Sequence, residues 1–164
     1  MLFFAIIVSA TAASRLVEWL LLQQKAGSWR PSMRQGMAAA LIFFGVDHLV
    51  TPGRYLPMLP DLLPFPENIV LITGLCELAG AIGLLAPRTR RLAGLMLAIY
   101  FVCVFPANIK NALEGTVVDG LPTLSWYYWI RLLFQPFAVW WALYASGVAE
   151  FPLIAARRRT RRGS

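Results

Sequence analysis

Five stretches of this chain, residues 2–23, 31–50, 67–86, 92–112 and 123–147, are apolar enough to cross a membrane. Each is near the roughly 20 residues that an α-helix needs to span hydrocarbon. Lipid offers no partner for a bare backbone, so segments that cross it in this way are helices. Besides Arg34, Glu67 and Lys110, which lie near span ends, four of the stretches carry ionisable residues: Arg15 and Glu18, then Asp47 and His48, then Glu77, then Arg131. Such a residue costs about 2.5–3.5 kcal/mol at the helix centre on insertion scales, so these groups are expected to pair or to line a site.

Of 164 residues, 59% are hydrophobic and 14% charged, against about a quarter charged in soluble domains. The mean hydropathy is +0.63. The expectation is an all-α integral membrane bundle of five spans. A net charge of +7 could point to nucleic acid, but the basic residues fall in alternate connections. Lys25, Arg30 and Arg34 follow the first span, Arg88, Arg90 and Arg91 the third, and Arg157, Arg158, Arg159, Arg161 and Arg162 form the tail. The second connection holds only Arg54, and the fourth connection is bordered only by Lys110 at the end of its span. Basic residues in short loops stay cytoplasmic, so the N-terminus is expected outside and the C-terminus inside. The tail fits the surface of anionic lipid, and no nucleic-acid partner is expected.

This divides the chain into a first span with its cytoplasmic loop (1–30), a membrane core (31–150) and a basic tail (151–164). Met1–Ala12 lacks the basic start of a signal peptide, and its apolar run resumes after Arg15, so it reads as an uncleaved span. Cys76 and Cys103 both fall inside spans, which excludes an extracellular disulfide framework. A redox pair and plain packing both remain open for them.

The second connection alternates Pro52, Pro57, Pro60, Pro64 and Pro66 with apolar residues. Prolines this dense prevent one continuous helix, while the apolar residues keep the segment at the membrane surface or folded back over the bundle; an interfacial lid and a plain ordered hairpin between two spans are both open readings. Trp126, Tyr127, Tyr128 and Trp129 at one end of the last span, and Trp140, Trp141 and Tyr144 near the other, read as interface belts.

Depth decides which buried groups meet. At about 1.5 Å per residue, Glu77 lies roughly 15 Å and Arg131 roughly 12 Å below the outer ends of their spans, so the two are expected to pair. Asp47 and His48 near the end of the second span, Asn108 in the fourth, and Gln135 one turn after Arg131 complete an outward-opening polar funnel. Pro106 leaves the Val102 carbonyl without its helical donor, adding an acceptor there. Gly74 and Gly80 flank Glu77 at three residues on either side and turn it toward a neighbouring helix. Arg15 and Glu18 are spaced to pair within their own helix. With one histidine in the chain, no metal site is expected.

Phe44-Gly45-Val46-Asp47-His48, the proline-rich run Pro52 to Pro60, Thr73 to Gly80, Pro87 to Arg91, Phe105 to Asn108 and Arg131 to Gln135 together resemble blocks of the DoxX family of small bacterial membrane proteins. The resemblance covers about residues 34–145, leaves the first span outside, and departs where Leu49 replaces a common phenylalanine. It implies a DoxX-like four-helix core with an extra N-terminal helix, in the bacterial inner membrane. Some relatives are subunits of quinone-linked oxidoreductases, others belong to complexes handling thiol stress, and distant ones look like assembly helpers. One expectation is therefore a small subunit of a membrane redox complex, in which Asp47, His48, Glu77, Asn108, Arg131 and Gln135 receive a quinone headgroup or small acidic ligand. In that reading Arg131 and Asn108 donate hydrogen bonds and His48, oriented by Asp47, exchanges a proton. The other is a non-enzymatic scaffold or assembly factor, in which the same groups only hold the bundle together and the lid or tail meets a partner protein.

Overall fold

The computed structural model describes residues 1–22, 27–115 and 125–150. Lys25 and the arginine tail from Arg157 to Arg162 lie outside the described residues. The chain is all-helical there: α1 (Leu2–Leu22), α2 (Arg30–Val50), α3 (Pro66–Leu85), α4 (Arg90–Cys103), α5 (Phe105–Glu114) and α6 (Ser125–Ser146). Two single 3₁₀ turns, Pro52–Arg54 and Leu56–Met58, lie between α2 and α3. Prolines stand in the first turns of α2, α3 and α5, where a missing N–H costs no helical bond.

The ends of the helices lie within a few residues of the five apolar runs, with one difference. The fourth run breaks at Val104 into α4 and α5, because Pro106 cannot donate to the carbonyl four residues before it. Leu2–Leu21, Pro66–Leu85 and Arg90–Glu114 are each long and apolar enough to cross a membrane. Arg30–Val50 qualifies together with the following turns, which bend away from it by 99°. α6 does not qualify by composition, since its Trp and Tyr side chains, Arg131 and Gln135 lower its hydropathy.

α2 packs against α1, α3 and α6, α3 against α4, and α6 against α4 and α5. The shared core is apolar, with Met37 and Leu41 of α2, Leu84 of α3, Leu97 and Phe101 of α4 and Trp141 of α6 in one cluster. Outward faces are apolar too: Leu21, Ile82 and Leu133 are exposed where a water-soluble helix would carry charge.

Arg30 and Arg34 do more than mark a loop. Their guanidinium groups donate to the carbonyls of Ala149 and Ala145 at 3.0 and 3.1 Å, closing the end of α6. Arg15 pairs with Glu18 at 3.0 Å within α1, and Ser32 also donates to Glu18. Cys76 and Cys103 are free and exposed.

The aromatic belts need correction. Trp126 and Trp129 are exposed, but Tyr127 and Tyr128 between them are buried because they face the bundle. At the other end Trp141 is a core residue whose indole N–H donates to the Met33 carbonyl at 3.0 Å.

Candidate functional site

The site begins at a crossing of two backbones. A Cβ on Gly74 would lie 2.9 Å from the Gly45 carbonyl oxygen, and one on Gly45 would lie 3.0 Å from the Gly74 carbonyl oxygen. Only glycine at both positions lets α2 and α3 approach so closely. His48 and Glu77 each follow their glycine by three residues, so the crossing brings them face to face.

His48 Nδ1 lies 2.7 Å from the Phe44 carbonyl and 3.0 Å from Glu77 Oε2. Both neighbours are acceptors, so Nδ1 carries a proton. Nδ1–H points to Phe44, and Glu77 Oε2, although close, has no aligned donor. Glu77 Oε1 accepts from the Tyr100 hydroxyl at 2.9 Å, and the residue is 5% exposed.

The expected Glu77–Arg131 pair is absent: among the described residues Glu77 is engaged by His48 and Tyr100, while no ion pair or hydrogen bond reaches Arg131. Matching depth along two helices does not fix azimuth, and the glycine crossing turns Glu77 toward α2 instead. Arg131 lines the cavity with the phenols of Tyr127, Tyr128, Tyr55 and Tyr100 as its electrostatic neighbours.

Asp47 does not orient His48 either. It accepts from Thr51 at 2.9 Å, from Arg54 at 2.8 Å and from the Tyr55 hydroxyl, pinning the first turns of the proline-rich connection back onto α2. Tyr55 in turn stacks on the His48 ring, centroids 3.9 Å apart. The far side of the connection is held by Lys110, whose ammonium donates to the Leu59 carbonyl and to Asp61, both at 2.8 Å. The connection thus forms a strap over the cavity, with Tyr55, Met58 and Leu59 in its wall and Leu62 outside it, fully exposed.

Asn108 Nδ2 donates to Gln135 Oε1 at 3.0 Å, and Gln135 Nε2 donates to the Phe101 carbonyl. The acceptor that meets Gln135 is thus the Phe101 carbonyl and not the expected one of Val102. The Val102 carbonyl is met instead by the Val104 N–H.

Asp47, His48, Glu77, Asn108, Arg131 and Gln135 all line one cavity of about 250 Å³. The sequence reading missed Asn111, Tyr100 and Tyr55. Asn111 is 1% exposed, lines the cavity, and neither its amide nitrogen nor its oxygen has a partner. Its spacing of three from Asn108 signals the same face of α5. Phe3 and Phe4 of α1 also form part of the wall, although the first span lies outside the family resemblance. Among the described residues no three His, Cys, Asp or Glu side chains gather to hold a metal.

A family model described as a domain of unknown function (DUF8561) matches residues 37–146. The chain belongs to that family. The DUF8561 region begins in α2 and ends with α6, so it contains Asp47, His48, Glu77, Asn108, Arg131 and Gln135 and excludes α1. No curated protein and no solved structure matches the chain.

Proposed function

We propose that this DUF8561 protein is a small subunit of a membrane redox complex whose cavity receives a quinone headgroup or a similarly small, oxygen-bearing ligand. In this reading the chain has five spans, a DoxX-like four-helix core and an extra N-terminal helix, and sits in the bacterial inner membrane with its N-terminus outside. The observation that carries the reading is Arg131: a cation inside an apolar bundle, lining a cavity, with no counter-charge or hydrogen-bond partner among the described residues. A buried charge left alone is costly, so its retention points to a ligand oxygen that completes it. The unpartnered amide of Asn111 in the same wall supports this. Aromatic walls from Phe3, Phe44, Tyr55 and Tyr100 suit a flat ring.

The test is purification from native membrane in mild detergent, with identification of co-purifying proteins and extractable lipophilic molecules. A quinone retained by the wild type and lost in Arg131→Gln, with redox subunits alongside, supports the proposal. A non-redox protein partner with an empty cavity favours the second reading, a scaffold. That reading has its own support in the hydrogen bonds Tyr100–Glu77 and Asn108–Gln135–Phe101, which tie helix to helix as structural glue does.

A further inference from the structure

The polar atoms of the cavity are not equivalent, and their asymmetry says which form of a ring ligand fits. The wall holds donors without acceptors, the Arg131 guanidinium, with no partner among the described residues, and Asn111 Nδ2; Asn111 Oδ1 beside it is an acceptor without a donor. Glu77 Oε2 is another acceptor without a donor. Tyr100 serves the other oxygen of the same carboxylate, and His48 Nδ1–H is spent on the Phe44 carbonyl, so neither can turn to Oε2 without giving up a bond it already makes. A ligand that only accepts hydrogen bonds would satisfy Arg131 and Asn111 Nδ2 but leave Glu77 Oε2 and Asn111 Oδ1 buried and unmet, at the cost of unsatisfied acceptors.

From this we infer that the cavity selects a flat ring bearing a hydroxyl donor for Glu77 as well as an oxygen acceptor for Arg131, and hence holds a hydroquinone in preference to the corresponding quinone. The inference rests on the ligand reading above and sharpens it. A benzoquinone offers two acceptors and no donor; its hydroquinone offers a hydroxyl at each end, one to donate to Glu77 and one whose oxygen accepts from Arg131. A hydrogen bond to a charged group is worth about a factor of ten or more in affinity.

The probes are tetramethyl-1,4-hydroquinone, its dimethyl ether and tetramethyl-1,4-benzoquinone, titrated calorimetrically and without oxygen into the full chain in nanodiscs, with empty nanodiscs subtracted. The hydroquinone is expected to bind at least about tenfold more tightly than either donor-free compound. Glu77→Gln presents an amide that donates, so it is expected to reverse the preference toward the quinone, and Arg131→Gln to weaken both. The comparison of ligands on the wild type does not depend on any variant folding. Equal affinity for hydroquinone and quinone in the wild type, or an unchanged preference in a folded Glu77→Gln protein, would overturn the selectivity and leave the ligand cavity standing. Binding of none of the three would remove the ligand reading for rings of this kind, and the selectivity with it.

Discussion

His48 Nδ1 sits 3.0 Å from Glu77 Oε2, each residue one turn beyond the glycine where α2 and α3 cross. The two are therefore expected to be coupled energetically, and Glu77 and Arg131 much less so. In a denaturation series in detergent, the cycle of His48→Ala with Glu77→Ala should show an interaction of about 0.5–3 kcal/mol, the range for residues in contact. The cycle of Glu77→Ala with Arg131→Ala should give a smaller one. A larger coupling to Arg131 would mean that the partner assignment is wrong.

The crossing itself makes a second expectation. Gly74→Ala places a methyl group 2.9 Å from the Gly45 carbonyl oxygen and 2.9 Å from the His48 Cβ, and a backbone oxygen cannot swing aside. Overpacking of this kind costs about 1–3 kcal/mol. Gly53→Ala, where the new group meets nothing within 4 Å, should change stability by no more than about 0.5 kcal/mol. Comparable unfolding midpoints for the two variants would show that α2 and α3 do not depend on the glycine contact.

How much of this was legible in the sequence follows from what each signal encodes. Hydropathy and proline position encode length along the chain, so helix ends were readable, while the fourth run, read as one span, proved to be two helices. Six polar residues that share the cavity were readable as well, because each interrupts an apolar run, whereas Asn111, Tyr55 and Tyr100 were not. Pairing was not, because depth says nothing of the direction in which a side chain leaves its helix. Glu77 met His48 and Tyr100 rather than Arg131, and Asp47 met the strap rather than His48. Tyr127 and Tyr128 were hidden for the same reason: a Trp-Tyr-Tyr-Trp run looks alike whether its middle faces lipid or the bundle.

The strap is held at the Asp47 end by three side chains on one carboxylate, and this predicts its dynamics. Asp47→Ala removes the acceptor for Arg54, Tyr55 and Thr51 together. Hydrogen bonds to charged groups contribute about 1.5–3 kcal/mol each, so local opening of residues 52–58 should rise by about tenfold or more. Hydrogen–deuterium exchange read by mass spectrometry checks this. The amides of α3 should keep their protection, since that helix packs on α2 and α4 through other contacts. Unchanged exchange at 52–58 would show that the strap is held from the Lys110 side instead.

Orientation in the membrane gives the last prediction. The basic groups Arg30, Arg34, Arg88, Arg90 and Arg91 border the connections after the first and third spans, while the strap follows the second and carries Arg54 alone. Basic residues in short loops resist export, so the strap is expected outside and the turn around Pro87 inside. Leu62, which is 94% exposed, and Pro87, also exposed, are suitable sites for single cysteines in a chain carrying Cys76→Ser and Cys103→Ser. A membrane-impermeant maleimide applied to intact spheroplasts should label Leu62→Cys and spare Pro87→Cys until the membrane is permeabilised. Equal labelling of both in intact cells would be inconsistent with an odd number of crossings between them. The reverse pattern would invert the protein, placing the strap and its cavity mouth on the cytoplasmic side and any ligand supply with them.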